Sequence, residues 1–409
     1  MFINKFKNYF LLYLSLLLLF GIFFLYEKHI IGNDSTISEW MINYQGGFTK
    51  RGVIGEICFQ IAQFFNIKLR FVIFLFQSII YSIYIVMIYK YLKNININYL
   101  ILFVIFSPIF ILYPVAEIEV LARKELFIFI GFLLFLNFSS SRYKDNVSLL
   151  YNFIVLPILC LIWEPIIFFF PFFLGVLISR VENLNKKNIF KISVSFLPAT
   201  VLCCFFILNP ITEENHRLMV NSLNNINVIG FPYIGESCYM SCALLLFKSS
   251  IYAQFKANFN VYSFTIFLRY FLIIIIGFGP IFLLSFYSKF KNKNYFFFKK
   301  FKNLLFPVLI LLSPVILLFA MGSDWGRWVN ISYTFTILFY FFLLENKVII
   351  YDELKIVYLY KKFIKKGYIL IILFIFFAFG WNPKTSLRGD VGSKPIYQIP
   401  YKTIKMLLK

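Results

Sequence analysis

Residues 43–56 set the adjacent cations Lys50 and Arg51 among four glycines, Gly46, Gly47, Gly52 and Gly55, and close on the carboxylate of Glu56. Glycine lets a backbone approach a ligand closely or take a positive φ, and lysine beside arginine supplies charge together with a planar fork of donors. That combination favours capture of an anion; the alternative is a tight loop whose cations meet lipid head groups. Three further constellations carry charge. Residues 117–125 hold Glu117, Glu119, Arg123, Lys124 and Glu125, in which Glu119 and Arg123 stand four apart and can pair on a helix, while one cation could simply snorkel. Glu164 precedes Pro165 inside a long apolar run, where a proline kinks or ends a helix and leaves a carboxyl at the mouth of a bundle. Burial there can raise a carboxyl towards the range of a general base; the alternative is an interfacial residue in a helical hairpin. Asp324 and Arg327 lie within residues 322–328, flanked by Gly322, Gly326, Trp325 and Trp328. They either pair locally and cap the next helix, or act as a phosphate-binding arginine and a carboxylate working on a sugar hydroxyl.

The elements that must position these groups are apolar. The 409 residues are 61% hydrophobic and 14% charged, and the apolar residues come in runs of about fifteen to twenty-five, which predicts an all-α polytopic integral membrane protein. Spans are expected near 8–26, 69–90, 98–114, 125–138, 149–162, 165–179, 190–209, 261–286, 304–321, 328–344 and 367–380, about eleven in one transmembrane domain covering 1–409. The first run lacks a small-residue cleavage site and is expected to remain as a helix. The 57 phenylalanines fit a biased, AT-rich genome, so single Phe residues carry no functional weight.

With the N-terminus cytoplasmic, the inner loops are 1–7, 90–97, 139–148, 180–191, 287–303 and 345–366. They hold 22 of the 40 Lys and Arg but 5 of the 18 Asp and Glu, so most of the net +22 falls on one face. The excess of basic residues inside predicts a cytoplasmic N-terminus and an outer C-terminus, and it explains the positive charge without nucleic acid. No phosphate-loop pattern occurs in the inner loops. The four charged constellations all fall on the outer face, and charges near membrane depth are costly unless they pair or line a watery cavity. The longest outer loop, 210–260, holds Glu213, Glu214, His216, Arg217 and the spaced pair Cys238 and Cys242, which could form a disulfide. Its apolar stretch 242–247 suits a short helix lying on the membrane. With only His29 and His216 in the chain, a histidine metal site is not expected. Thr36 and Glu39 fit a capping box, so Asp34 and Glu39 read as helix-start residues rather than catalysts.

The stretch 43–56, the Arg123-Lys124-Glu125 run and residues 324–328 together resemble the Wzy-type repeat-unit polymerases of bacterial O-antigen and capsule clusters. The resemblance covers topology and three short motifs. It implies an inverting, metal-independent glycosyltransferase without cofactor, working at the outer leaflet of the bacterial inner membrane. Its substrate is an undecaprenyl-diphosphate-linked oligosaccharide, passed to another lipid-linked repeat unit, and membrane lipid and a chain-length regulator protein are its partners. The resemblance implies dependence on outer-face arginines, here Arg51, Arg123, Arg327 and Arg217; taken with the residues themselves, diphosphate-binding roles are expected for these and for Lys50, Lys124, Gly46 and Gly47, and catalytic roles for Glu164, Asp324, Asp34 and Glu119. A second resemblance is to polyprenyl-phosphate-sugar glycosyltransferases with a GT-C-like helical bundle, whose carboxylate base lies in the first outer loop; Asp34 or Glu39 would then serve. A flippase for the same unit is the non-enzymatic alternative, but it predicts internal repeats and mid-membrane charges.

Overall fold

A computed structural model describes residues 2–31, 35–140, 145–181, 184–225, 255–256, 258–291, 301–363, 367–387, 392–393, 404–405 and 407–408. Asp34, Cys238 and Cys242, and the apolar stretch 242–247, lie outside the described residues, as does most of the loop 210–260.

The chain is mostly helical. Its longer helices are α1 (Phe2–Ile31), α2 (Gly52–Phe65), α3 (Leu69–Leu92), α4 (Tyr99–Ile105), α5 (Glu125–Phe138), α6 (Asp145–Ile162) and α7 (Phe170–Arg180). They continue as α8 (Lys186–Leu208), α9 (Glu213–Asn225), α10 (Phe264–Phe286), α11 (Leu305–Leu312), α12 (Val315–Met321), α13 (Trp325–Glu345), α14 (Glu353–Phe363) and α15 (Gly367–Phe379). Five described helices, α1, α3, α8, α10 and α13, are long and apolar enough to cross a membrane. Three of the other expected spans are broken near prolines. The expected span 98–114 is helical over α4 and again only from Tyr113, where the short helix Tyr113–Ala116 begins; the residues between, Pro108 among them, run as buried irregular backbone. Such backbone is tolerated at depth because protein groups meet it: the Asn330 amide donates to the carbonyls of Ile109 and Phe110, at 2.9 and 3.1 Å. The expected span 304–321 divides into α11 and α12 at Ser313-Pro314, and 165–179 opens with a 3₁₀ turn, Glu164–Phe169, ahead of α7. The all-α expectation also needs amending, because β1 (Ser288–Phe290) pairs antiparallel with β2 (Ile349–Tyr351), and β3 (Trp381–Asn382) with β4 (Gly392–Ser393).

Helix α13 is the central pillar. Of its most apolar stretch 89% is buried, against 28–39% for the other four long apolar helices, whose outward faces remain open as lipid-facing surface would. Phe335 on α13 stacks on Phe169 and packs at a tilt against Phe132 of α5, both at 4.6 Å, a knot of rings that draws α5 and α7 around it. A helix buried all round must also satisfy its polar side chains. Tyr333 donates to the Val104 carbonyl at 2.9 Å, and the Thr334 and Thr336 hydroxyls bond back to carbonyls one turn earlier. The first turn of α13 carries Arg327, the start of α5 follows Arg123 and Lys124, and α6 ends just before Glu164. Three of the four charged constellations therefore meet at one end of the bundle.

Candidate functional site

The fourth constellation is brought to that end by the loop between α1 and α2. The indole of buried Trp40 donates to the Ala122 carbonyl at 2.6 Å and the Gln77 amide donates to the same oxygen at 2.7 Å, which pins the turn carrying Arg123 and Lys124 against the first loop. Within the stretch 43–51, Glu56 acts as a clamp: it accepts from the Tyr44 backbone at 2.8 Å and the Gln45 amide at 2.9 Å. Gly47 takes φ +108, and a Cβ on Gly46 would stand 1.9 Å from the Asn215 carbonyl of α9, so both glycines serve the fold of the loop and its close approach to α9. Phe48 stacks on Phe206 of α8 at 5.6 Å. Arg51, immediately before α2, stands in the left-handed region at φ 61. A non-glycine residue held there carries strain of about 1–3 kcal/mol, of the kind that surrounding contacts must enforce. The ammonium of fully buried Lys124 donates to the Arg51 carbonyl at 2.7 Å and is one such contact.

From Arg51 an ion-pair chain runs through the whole site. Its guanidinium grips Glu164 with two bonds, Nε to Oε2 at 2.7 Å and Nη2 to Oε1 at 2.9 Å, while Nη1 reaches Glu39 at 2.9 Å. The other oxygen of Glu39 accepts from Arg123 at 3.0 Å. Arg123 lies 3.9 Å from Asp324, whose Oδ2 meets Arg327 at 2.9 Å, and Arg327 lies 3.2 Å from Glu125. Lys50 stands 3.7 Å from Glu164. Five cations thus face four carboxylates, a formal excess of one positive charge. Arg327 also lies over the Trp328 ring at 4.3 Å, a cation–π contact. Among the described residues, the buried indole N–H groups of Trp163 and Trp328, the Nε of Arg123 and both oxygens of Glu125 have no well-aligned hydrogen-bond partner.

Charge sharing sets the acidities. Burial pushes the Glu39 carboxyl up, but Arg51, Arg123, Lys124 and Arg327 together outweigh it and hold the group at about 2. Burial likewise opposes ionisation of Glu164, and Arg51 and Lys50 bring it below the usual carboxylate range. Burial lowers Lys124 to about 8 despite Glu39, and lowers Lys50 despite Glu164. Arg51 is raised: burial opposes its charge, and Glu164 and Glu39 prevail.

Of the residues singled out in the sequence, Lys50, Arg51, Arg123, Lys124, Glu164, Asp324 and Arg327 come together here. Glu119 does not: the short helix Ile118–Leu121 ends before Arg123, so the four-residue spacing loses its helical meaning, and Glu119 is exposed while Arg123 turns to Glu39 and Asp324. Arg217 is exposed on α9, outside the chain of ion pairs. Glu39 opens a short 3₁₀ helix, Glu39–Met41, as a helix-start residue, and its two carboxylate oxygens also bridge arginines. Glu117 forms a second, separate cluster, accepting from Lys384 at 2.8 Å and Asn382 at 2.9 Å, which ties the segment after α15 to this end of the bundle. The backbone joins in, with Leu387 N–H donating to the Ser323 carbonyl at 2.7 Å. A cavity of about 760 Å³ lies at the opposite end, where Lys90, Lys93, Asn137 and Glu345 follow the C-terminal turns of α3, α5 and α13. Comparison of the chain with family models, curated proteins and solved structures returns no match.

Proposed function

We propose that the ion-pair cluster is the active site of a glycan polymerase that acts on a lipid-linked oligosaccharide at the outer face of the bacterial inner membrane, with the N-terminus cytoplasmic and the C-terminus outside. The single observation that carries this reading is the convergence of Lys50, Arg51, Arg123, Lys124 and Arg327, from three distant parts of the chain, with a formal excess of one positive charge. A cluster that served stability alone would be better replaced by apolar side chains, because desolvating ions commonly outweighs their attraction. Directed cations in a water-poor setting are what a departing diphosphate needs. In the inverting transfer, the acceptor hydroxyl loses its proton to a carboxylate, its oxygen bonds to the anomeric carbon, and the lipid diphosphate leaves with the bonding pair. Asp324 suits the base: its side chain is 28% exposed, the most open carboxylate of the cluster, and only Oδ2 is engaged by the arginines. The undecaprenyl-diphosphate-linked unit is the substrate, and a chain-length regulator is the expected protein partner.

The second reading, a polyprenyl-phosphate-sugar transferase using a first-loop carboxylate, draws support from the presence of Glu39 in the cluster. Against it, a carboxylate held at about 2 with both oxygens occupied is a poor proton acceptor.

The test is genetic. In a strain lacking the gene, single repeat units should remain attached while the glycan ladder disappears; wild-type protein should restore the ladder. Arg51→Lys and Arg327→Lys keep the charge but lose the fork, and at normal expression should reduce ladder formation at least tenfold. Loss of the single-unit band on deletion would move the protein to an earlier step and sink the polymerase reading.

A further inference from the structure

The two carboxylates on Arg51 are not equivalent. Glu39 is 7% exposed and joins Arg51 to Arg123, so it ties two elements together. Glu164 is 18% exposed, sits on the 3₁₀ turn ahead of Pro165, and meets Arg51 in a two-bond grip with Lys50 beside it at 3.7 Å. A guanidinium fork with a neighbouring ammonium is an arrangement that fits a phosphoryl group as well as it fits a carboxylate. The backbone of Arg51 is secured without Glu164. Lys124 holds its carbonyl at 2.7 Å, α2 starts at the next residue, and Nη1 stays on Glu39 at 2.9 Å. The fork can therefore change partner while its base stays in place.

We infer that Glu164 fills the seat of a diphosphate between Lys50 and Arg51 in the ligand-free protein, and that the ligand binds by displacing it. The inference rests on the reading that this cluster takes a lipid-borne diphosphate, and it changes the role of Glu164 from proton acceptor to placeholder. A bound anion is exchanged for a tethered one, so Lys50 and Arg51 are paired in both states and are never left buried alone. Selectivity follows: a single carboxylate gains little over Glu164, whereas a diphosphate brings more charge and more acceptor oxygens to the same donors.

The purified full-length protein in detergent micelles tests this with inorganic diphosphate as the probe. Calorimetric titration should give binding at least tenfold tighter for Glu164→Gln than for wild type, and less than threefold tighter for Glu39→Gln, which removes the same charge from behind the fork. Equal tightening by the two variants would reduce the effect to bulk charge and overturn the exchange, as would unchanged or weaker binding to Glu164→Gln. A second measurement needs no variant. Carbodiimide should couple the Lys50 amine to the Glu164 carboxyl as an amide, read by peptide mass spectrometry, and saturating diphosphate should suppress that product. Diphosphate that binds and leaves the coupled yield intact refutes displacement. Farnesyl diphosphate run beside the inorganic probe identifies the source of the ligand: a tenfold gain from the prenyl chain marks a membrane lipid, and equal affinity marks a soluble diphosphate and overturns the lipid-borne form of the inference. The ladder assay reads polymerisation independently, so a failed polymerase reading and a failed exchange give different results.

Discussion

The Arg51–Glu164 pair makes a quantitative claim that a double-mutant cycle can check. The pair has two charge-assisted bonds, at 2.7 and 2.9 Å, with side chains only 12% and 18% exposed. A hydrogen bond to a charged group contributes about 1.5–3 kcal/mol, and because two bonds on one fork share their ordering entropy, the lower figure for each gives about 3 kcal/mol of coupling. Coulomb attraction at about 4 Å and an effective dielectric of about 20 gives about 4 kcal/mol, which brackets the same answer from above. Arg51→Met alone leaves Glu164 with Lys50 and Glu39 with Arg123, so each single variant should lose stability without unfolding the bundle. Arg51→Met, Glu164→Gln and the double variant should be unfolded at equilibrium in mixed micelles by added SDS and followed by tryptophan fluorescence. A parallel cycle on Lys355 and Asp352, 58% and 27% exposed at 3.6 Å, supplies the comparison and should show no measurable coupling. Coupling below about 1 kcal/mol for Arg51 and Glu164, or equal to that of the exposed pair, would refute a desolvated two-bond contact at the centre of the site.

Lys124 predicts a pH dependence with a definite sign. Its ammonium gives up its proton at about 8, below the ordinary lysine value, so between those limits the unfolded chain keeps a proton that the folded chain has released, and stability should rise with pH. As Lys124 loses its proton around pH 8 the formal surplus charge disappears, so diphosphate binding should weaken severalfold from pH 7 to pH 9. Lys124→Met should remove the step near 8, and a flat wild-type profile would contradict the assignment. At the second cluster, Glu117→Ala removes the acceptor of Lys384 and Asn382 and should make the chain after α15 cleavable by trypsin at Lys384 with the helical circular dichroism unchanged. Cleavage equal to wild type would mean that the backbone contacts of Leu387 hold the segment by themselves.

What the sequence made legible was the set of groups with no cheap reason to be where they are. Arg51, Glu164, Asp324 and Arg327 interrupt apolar surroundings, and charge at membrane depth demands partners whichever fold supplies them. The pairing itself had no local signature. Glu164 is 113 residues from Arg51 and Lys384 is 267 from Glu117, and only packing joins them. Local patterns misled where helices stopped early. Glu119 and Arg123 have pairing distance only on a continuous helix. The capping motif of Thr36 and Glu39 marked a helix start but not that two arginines need the Glu39 carboxylate. Apolar length overstated the helices for a related reason: hydropathy over 98–114 registers burial, and the buried irregular stretch beyond α4 is as apolar as a helix would be. Helix α2 was missed because its polar flanks drew attention to the loop, although its buried Ile54, Cys58, Phe59 and Ala62 recur at helical spacing.

The position of the cluster on the most buried helix gives the arrangement its physical sense. Arg327 stands on the first turn of α13, whose sides are held by the aromatic knot around Phe335 and whose Asn330 amide is bound by the broken segment after α4. That pillar is fixed at many points, and Asp324 and Arg327 stand at its start, on one side of the site. The opposite side is a loop, residues 43–51, held by Glu56, by contact with α9 and by the ammonium of Lys124. Arg51 thus carries its strained backbone on the loop side, its carbonyl held by Lys124, and is linked to Arg327 through Glu39, Arg123 and Asp324. Ions buried for stability alone would gain from apolar replacement, whereas ions held between a firmly packed helix and a tethered loop suit the proposed capture of an anion, which they would meet without reorganising the bundle.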